Sequence, residues 1–218
     1  MAYKAVIIGA SGLIGSNLLN ILLQQPEYDE ILVLVRKGLP VKNDKLTQVL
    51  TDFDKIENYS EMITGHAVFS CLGSTKKKTP DTDQYRKIDH DYPLRLAQIA
   101  KSNGIKQFHL ISAIGADAAS GNFYLKMKGE TEKDIKKIGL ESLHIYQPSL
   151  LTGNRKESRL TERIAIALMK AFDPILFGGL KKYRSIAANT VATAMFKQSL
   201  INTAGVFIHP SDKIKQLS

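Results

Sequence analysis

Short apolar runs alternate with longer amphipathic segments along most of the chain. Residues 4–8 and 30–35 are rich in β-branched side chains, and residues 67–72 form a third short, mostly apolar run. The run at 30–35 is almost continuously apolar, as expected for a strand covered on both faces. Between the first two lies a segment with helical spacing, from residue 13 to about residue 25, that stops at Pro26. This alternation predicts an α/β fold, a parallel sheet with helices on both faces.

The same pattern continues to the end of the chain. Further strands are predicted at residues 47–50, 107–112, 142–146 and 206–208. Further helices are predicted at residues 93–102, 123–138, 160–172 and 190–200. No repeat, linker or low-complexity tract interrupts the chain, so we interpret residues 1–218 as a single domain with a doubly wound parallel sheet (Rossmann fold). A small cap within residues 149–187 would lie over the carboxyl end of the sheet.

Composition excludes several classes of protein. Hydrophobic residues make up 44% of the chain and charged residues 23%, as in ordinary soluble proteins. The single cysteine, Cys71, excludes a disulfide framework and is interpreted as a buried small hydrophobe. No apolar run approaches the ~18 residues of a membrane helix, and the first residues fit a strand better than a signal peptide. We therefore expect a cytoplasmic protein without a membrane partner.

The net charge of +9 admits nucleic acid, a membrane surface or an acidic small molecule as partner. The basic residues are dispersed and lack aromatic interleaving, so no nucleic-acid partner is expected. The densest run, Lys76, Lys77 and Lys78, is interpreted as a solvated loop, the alternative being a role in steering an anionic ligand. The five histidines lack metal-ligand spacing, so they are interpreted as packing or surface residues and no metal is expected.

The strongest local signal is a glycine-rich turn after the first strand. Gly9, Gly12 and Gly15 are spaced G-x-x-G-x-x-G and lead directly into a helix. Such a turn lets the backbone approach a pyrophosphate, which the free N–H groups and the helix dipole then face. A turn without a ligand is the plainer alternative. We therefore predict that this turn binds a dinucleotide.

The end of the second strand predicts which dinucleotide binds. NAD sites place a carboxylate there to accept from the ribose 2′-hydroxyl, whereas this strand runs into Arg36 and Lys37. A guanidinium would pair strongly with a 2′-phosphate, so we predict NADP(H), with Arg36 the main discriminator. A solvated basic turn is the alternative. Asp52, after the third strand, is predicted more weakly to lie beside the adenine.

Three further residues suggest redox chemistry. Tyr124 and Lys128 are four residues apart and share one face of a predicted helix. An ammonium near a tyrosine favours the phenolate, which can exchange a proton with a carbonyl or alcohol oxygen while a nicotinamide moves hydride. Ser112 ends the preceding strand, where its hydroxyl could hold the substrate oxygen. Alone the tyrosine–lysine spacing is most often a surface pair, but with the glycine turn it becomes more specific.

These features resemble a short-chain dehydrogenase/reductase of the atypical kind. Several stretches are closer still to the Tat-interactive oxidoreductase family. They are CLGST at residues 71–75, DHDY at 89–92, SAIGAD at 112–117, FYLKMKGE at 123–130 and NRKESR at 154–159. The resemblance extends from the first strand to the helix near residue 200.

The resemblance implies an NADP(H)-binding Rossmann fold with a Ser-Tyr-Lys site. It assigns Ser112, Tyr124 and Lys128 as the catalytic set, with Tyr124 and Lys128 also at the cofactor. By matching position it also assigns cofactor contacts to Gly9, Ser11, Gly12, Leu13, Ile14 and Arg36. Leu72 and Gly73 would run past the nicotinamide ribose, which Lys128 also holds in such folds. Three positions depart from the usual pattern of the family. Asp89 replaces an asparagine that extends a proton relay in many members. Ser149 replaces a glycine, and Ala113 replaces the second serine of a pair. We therefore infer no relay through Asp89.

Two functions remain open at this stage. The first is an NADP(H)-dependent oxidoreductase that acts on a small carbonyl or alcohol. Its rival is an NADP(H)-bound redox sensor without significant turnover, because dinucleotide folds host both roles. Arg155 and Arg159 could bind an acidic substrate or pair with neighbouring glutamates. A homodimer is possible by analogy with the fold.

Overall fold

A seven-stranded sheet forms the centre of the computed structural model, which describes residues 3–153 and 178–218. Its strands are β1 (Tyr3–Ile8), β2 (Tyr28–Val35), β3 (Leu46–Leu50), β4 (Ala67–Ser70), β5 (Gln107–Ile111), β6 (Ser142–Gln147) and β9 (Gly205–Pro210). They lie in the order β3-β2-β1-β4-β5-β6-β9, and every neighbouring pair is parallel. A short parallel pair joins β7 (Leu151–Thr152) to β8 (Ile186–Ala187).

Helices connect the strands. They are α1 (Leu13–Gln24), α2 (Thr82–Arg86), α3 (Tyr92–Ser102), α4 (Phe123–Lys137), α5 (Ala188–Ser199) and α6 (Ser211–Leu217). Two 3₁₀ segments cover Phe53–Met62 and Gly178–Tyr183. A π-helical turn, Lys87–Asp91, joins α2 to α3 without a break. None of the helices among the described residues is long and apolar enough to cross a membrane.

The sheet has a buried core on each face. Along β1, Ala5 and Ile7 pack toward α1, α5 and α6, whereas Val6 and Ile8 pack toward α3 and α4. This period-two alternation of fully buried side chains is what a strand covered on both faces requires. The predicted doubly wound parallel sheet is therefore confirmed.

The elements that the sequence did not predict are short or irregular. Among them are the irregular 3₁₀ segment at Phe53–Met62, α2, the π turn and α6. None of these four has the regular apolar period of a long helix. The predicted helix at 160–172, most of the cap, and both Arg155 and Arg159 lie outside the described residues. The single domain and the cap stay predictions.

A row of imidazole rings crosses one face of the sheet from β5 to β9. His109, His144 and His209 form this histidine ladder, with ring centroids 4.7 Å apart for the first pair and 5.3 Å for the second. His144 Nδ1 lies 3.0 Å from His209 Nε2. Burial lowers the pKa of His144 and of His209 to about 4, and it holds the pKa of His109 well below its usual value. The packing interpretation of these three histidines is confirmed.

Candidate active site

The strand order reverses between β1 and β4, and this switch point places the glycine turn beside the exit of β4. Open parallel sheets bind ligands in the crevice that such a reversal creates. Gly9 has a φ of +78°, and a Cβ there would lie 2.5 Å from the Cys71 carbonyl carbon. A Cβ on Gly15 would collide with the Gly9 carbonyl. Both positions therefore require glycine for close backbone packing.

The amino terminus of α1 has the form of an anion site. Gly12 precedes the helix without a side-chain cap, and the first turn carries no acidic residue. Ser11 and Gly12 are exposed, whereas Leu13 is partly buried and Ile14 fully buried beneath them. The uncapped N–H groups and the helix dipole thus face outward at the switch point, which fits the pyrophosphate of a dinucleotide.

The basic end of β2 lies beside the end of β3. Arg36 and Lys37 directly follow β2 and are exposed. The Thr51 N–H donates to the Val35 carbonyl at 2.9 Å, which brings Asp52 alongside Arg36. Asp52 Oδ1 accepts from the Asp54 N–H at 3.1 Å and so caps the 3₁₀ segment, as a turn residue does. Neither basic side chain forms an ion pair with any described residue of the chain.

The opposite side of the crevice is built on α4. Asn122 caps this helix by accepting from the Leu125 N–H at 3.1 Å. Tyr124 lies in the first turn with 40% of its surface exposed, and Lys128 follows one turn later, fully buried. The tyrosine that could meet a substrate is thus accessible, while the lysine behind it is sheltered from water.

Lys128 is held by two acceptors. Its Nζ lies 2.8 Å from Asp89 Oδ1 in the π turn and 3.4 Å from the Ile111 carbonyl at the end of β5. Burial is the largest single influence and lowers the pKa of Lys128, but Asp89, Tyr124 and Glu132 together outweigh burial, so the pKa is raised above its ordinary value. The lysine is therefore a buried ammonium with a buried counterion.

The loop after β4 passes directly over this pair. Leu72 is partly buried, and Gly73 is exposed. A Cβ built on Gly73 would lie 3.8 Å from both Asp89 Oδ1 and Lys128 Nζ, so Gly73 is the part of the loop that lies against this pair. The Ser74 N–H donates to Asp89 Oδ2 at 2.8 Å, which fixes the loop in this place.

Ser112 makes a contact that the sequence did not predict. Its hydroxyl donates to Glu132 Oε1 at 2.5 Å, and Gln147 Nε2 donates to the same oxygen at 2.8 Å. Glu132 is buried and lies 3.6 Å from Lys136. The spacing along α4 could have identified Glu132 as a residue of the site. Glu132 follows Lys128 by one helical turn and Tyr124 by two, so it shares their face of α4.

Lys76 lies in the exposed loop after β4, with its ammonium beside the start of α4. Its Nζ is 4.1 Å from the centre of the Phe123 ring and 3.1 Å from Thr82 Oγ1. Cys71 packs partly buried at the edge of the core, and burial raises the pKa of its thiol to about 12. Among the described residues, no group of His, Cys, Asp or Glu is arranged to hold a metal ion.

Comparison with known proteins identifies the family. A family model described as NAD(P)H-binding matches residues 9–171, which is most of the chain. The chain belongs to this family. The match includes the glycine turn, the loop after β4 and the whole of α4, and it makes the chain an NAD(P)-binding, oxidoreductase-like protein of the short-chain dehydrogenase/reductase type.

Curated members of the family include close relatives. The protein HTATIP2 of Rattus norvegicus is 36% identical over 170 residues, which are 76% of this chain and 70% of the rat protein. The mitochondrial protein fmp52 of Aspergillus clavatus is 30% identical over 218 residues, which are 97% of this chain and 93% of the fungal protein. These matches confirm the resemblance to the Tat-interactive oxidoreductases and the atypical short-chain dehydrogenases/reductases.

Solved structures of the same fold are more distant in sequence. The Bordetella bronchiseptica enzyme WbmH in complex with NAD+ superposes with a TM-score of 0.74 at 16% identity, over 97% of this chain and 76% of that one. A putative NAD-dependent epimerase/dehydratase from Bacillus halodurans gives a TM-score of 0.70 at 20% identity over the full length of both chains. These similarities show the shared fold.

Proposed function

We propose that the protein is an NADP(H)-dependent oxidoreductase that acts on a small carbonyl or alcohol through Ser112, Tyr124 and Lys128. The observation that carries this proposal is the arrangement on α4. An accessible tyrosine precedes a buried ammonium by one turn, and this ammonium lies against the loop after β4 in an NAD(P)-binding fold. A solvated surface pair would leave Lys128 exposed and without a buried counterion.

The crevice residues suit the parts of a dinucleotide in order. Gly9, Ser11 and Gly12, with the start of α1, would face the pyrophosphate. Leu72 and Gly73 would lie along the nicotinamide ribose, and Lys128 lies directly next to Gly73. The proposed cofactor contacts at Leu13, Ile14 and Asp52 rest on position at the same crevice.

The exposed pair after β2 supports NADP(H) over NAD(H). The β2 end carries Arg36 and Lys37 where an NAD site carries a carboxylate for the ribose 2′-hydroxyl. Arginine meets phosphate through two parallel hydrogen bonds, and Arg36 has no carboxylate partner among the described residues that would compete.

The chemistry divides between cofactor and chain. A bound nicotinamide supplies the hydride donor or acceptor. Tyr124 would hold or release the proton at the substrate oxygen, because its hydroxyl is accessible and its neighbour Lys128 is positively charged. Ser112, at the end of β5, would orient that oxygen.

Arg36→Ala should weaken NADPH binding about tenfold or more while it changes NADH binding little, because a charge-assisted bond to the 2′-phosphate is lost. Thermal unfolding of the wild type and variant with saturating NADPH, NADP+, NADH and NAD+ measures this directly. A ligand at ~100 times its Kd adds roughly 2.7 kcal/mol to stability, which moves the midpoint by several degrees.

Lys42→Ala is the matched control, since Lys42 is also exposed and lies six residues further along the chain. The substitution removes one positive charge and leaves the end of β2 unchanged. The Lys42→Ala variant should therefore bind all four dinucleotides as the wild type does. Equal losses for NADPH and NADH in Arg36→Ala would contradict the 2′-phosphate assignment.

The cellular location, the absence of a nucleic-acid partner and a homodimer stay predictions. The word mitochondrial stands in the name of the A. clavatus relative and describes that protein. For this chain we retain the cytoplasm as the proposed location.

A further inference from the structure

Asp89 is the most completely enclosed carboxylate of the site, with 0% of its side chain exposed. Its two oxygens have different partners. Oδ1 lies 2.8 Å from Lys128 Nζ on α4, and Oδ2 accepts from the Ser74 N–H at 2.8 Å. Its backbone carbonyl accepts from Thr131 Oγ1 at 3.0 Å. Asp89 therefore connects α4, the loop after β4 and the π turn at a single residue.

The N–H donors of Lys128 explain why its contact with Asp89 matters. An ammonium has three N–H donors and no acceptor. Its Nζ is in ion-pair contact with Asp89 Oδ1 at 2.8 Å and donates to the Ile111 carbonyl at 3.4 Å, so the protein itself occupies two sides of the ammonium. On another side lies Gly73, where a Cβ would be 3.8 Å from Nζ and where only backbone lies next to the ammonium. Such an arrangement prepares the lysine for one further acceptor before any ligand arrives.

We propose that Asp89 is the positioning residue for Lys128, holding its ammonium protonated and fixed against the loop at residues 72–74 so that one N–H remains for the cofactor. The structural part of this role stands on the contacts above. Its contribution to turnover rests on the proposed function. Asp89 is enclosed and contacts Lys128 and the Ser74 N–H, so it would act through Lys128 and the loop.

The charges around Lys128 agree with this role. Asp89 faces it from the π turn, Tyr124 and Glu132 face it from α4, and β5 presents the Ile111 carbonyl. Burial lowers the pKa of Lys128, and Asp89 is the largest of the opposing contributions that raise it. Without that carboxylate, burial would favour the neutral amine.

Replacing Asp89 with asparagine tests this role directly. An amide has one acceptor oxygen and one NH₂ donor, whereas both partners of Asp89, the Lys128 ammonium and the Ser74 N–H, are donors. Asp89→Asn can therefore satisfy one partner at a time. Asp83→Asn is the matched control, because Asp83 is an exposed aspartate six residues earlier in α2.

The experiment follows Lys128 directly by NMR in protein labelled with ¹⁵N at the lysine side chains, with Lys128→Met used to assign the signal. We expect the Lys128 titration midpoint in Asp89→Asn to fall by about one pH unit or more relative to wild type. The Ser74 amide should also exchange with solvent faster. Asp83→Asn should match the wild type in both measurements. An unchanged Lys128 midpoint in folded Asp89→Asn would overturn the proposal.

A double variant covers the case in which Asp89→Asn does not fold. Asp89→Asn combined with Lys128→Met removes both buried charges. Recovery of folding in the double variant would support the proposal, because the stranded ammonium is then the cause of unfolding. Failure of the double variant to recover would overturn it, since Asp89 would then serve the π turn alone. Neither readout uses substrate or cofactor, so a wild type without turnover contradicts the proposed function and leaves this test intact.

Discussion

Replacing Tyr124 with phenylalanine should lower kcat by roughly 10²- to 10⁴-fold, the usual contribution of a positioned proton donor. The change removes one hydroxyl from a side chain that is 40% exposed, so the fold should not be affected. NADPH affinity should change less than about twofold, because the ring and Lys128 remain. Turnover is measured with a panel of small aldehydes, ketones and alcohols, and affinity by thermal unfolding with NADPH.

Tyr59→Phe serves as the control for the loss of a tyrosine hydroxyl. The Tyr59 hydroxyl bonds the Leu50 carbonyl at 3.3 Å beyond β3, away from α4. It should retain full turnover. Wild-type rates in Tyr124→Phe would contradict the assigned proton step. A wild type that binds NADPH and turns over no member of the panel would favour the redox sensor.

Acidification from pH 6.5 to pH 5 should destabilise the protein by about 3 kcal/mol through two members of the histidine ladder alone. His144 and His209 are buried and neutral, with pKa values of about 4. In the unfolded chain their pKa is ~6.5, so the unfolded state binds more protons in this interval. Stability is therefore complete above pH 6.5 and is lost as the pH falls toward 4, at ~1.4 kcal/mol per histidine and pH unit.

Urea unfolding at several pH values measures this loss. The expected loss is a large part of the ~5–15 kcal/mol that stabilises a typical domain. His209→Phe provides the internal comparison, because a phenyl ring preserves stacking and cannot take up a proton. Its stability should fall less steeply between pH 6.5 and 5, by ~1.4 kcal/mol per pH unit. Equal slopes in the two proteins would show that His209 is protonated in the folded state.

Regular features of the site were predictable from the sequence because they depend on local periodicity. The strand ends that carry Ser112 and Arg36, and the helix that carries Tyr124 and Lys128, follow from apolar runs and from spacing. The glycine turn was predictable for the same reason, since its three glycines fall between a strand and a helix.

The contacts of Asp89 depend on structure that local periodicity does not encode. Asp89 lies in a π turn, where one extra residue shifts the helical phase and turns its side chain toward Lys128. The histidine ladder depends on the register of three parallel strands that are distant in sequence. Glu132 stands among the charged residues of α4 and could not be distinguished from its exposed neighbours before the position of Ser112 was known.

The bond from Ser112 to Glu132 sets the polarity of hydrogen bonding at the end of β5. A serine hydroxyl has one hydrogen to donate, and Ser112 donates it to the Glu132 carboxylate, which is an acceptor only. What remains on the Ser112 oxygen is lone-pair density alone. A third group that approaches it must bring its own proton, as an alcohol or a phenol does and a ketone does not. Under the proposed function, this resting arrangement of Ser112 would therefore favour the reduced form of a substrate, an alcohol, over the oxidised form.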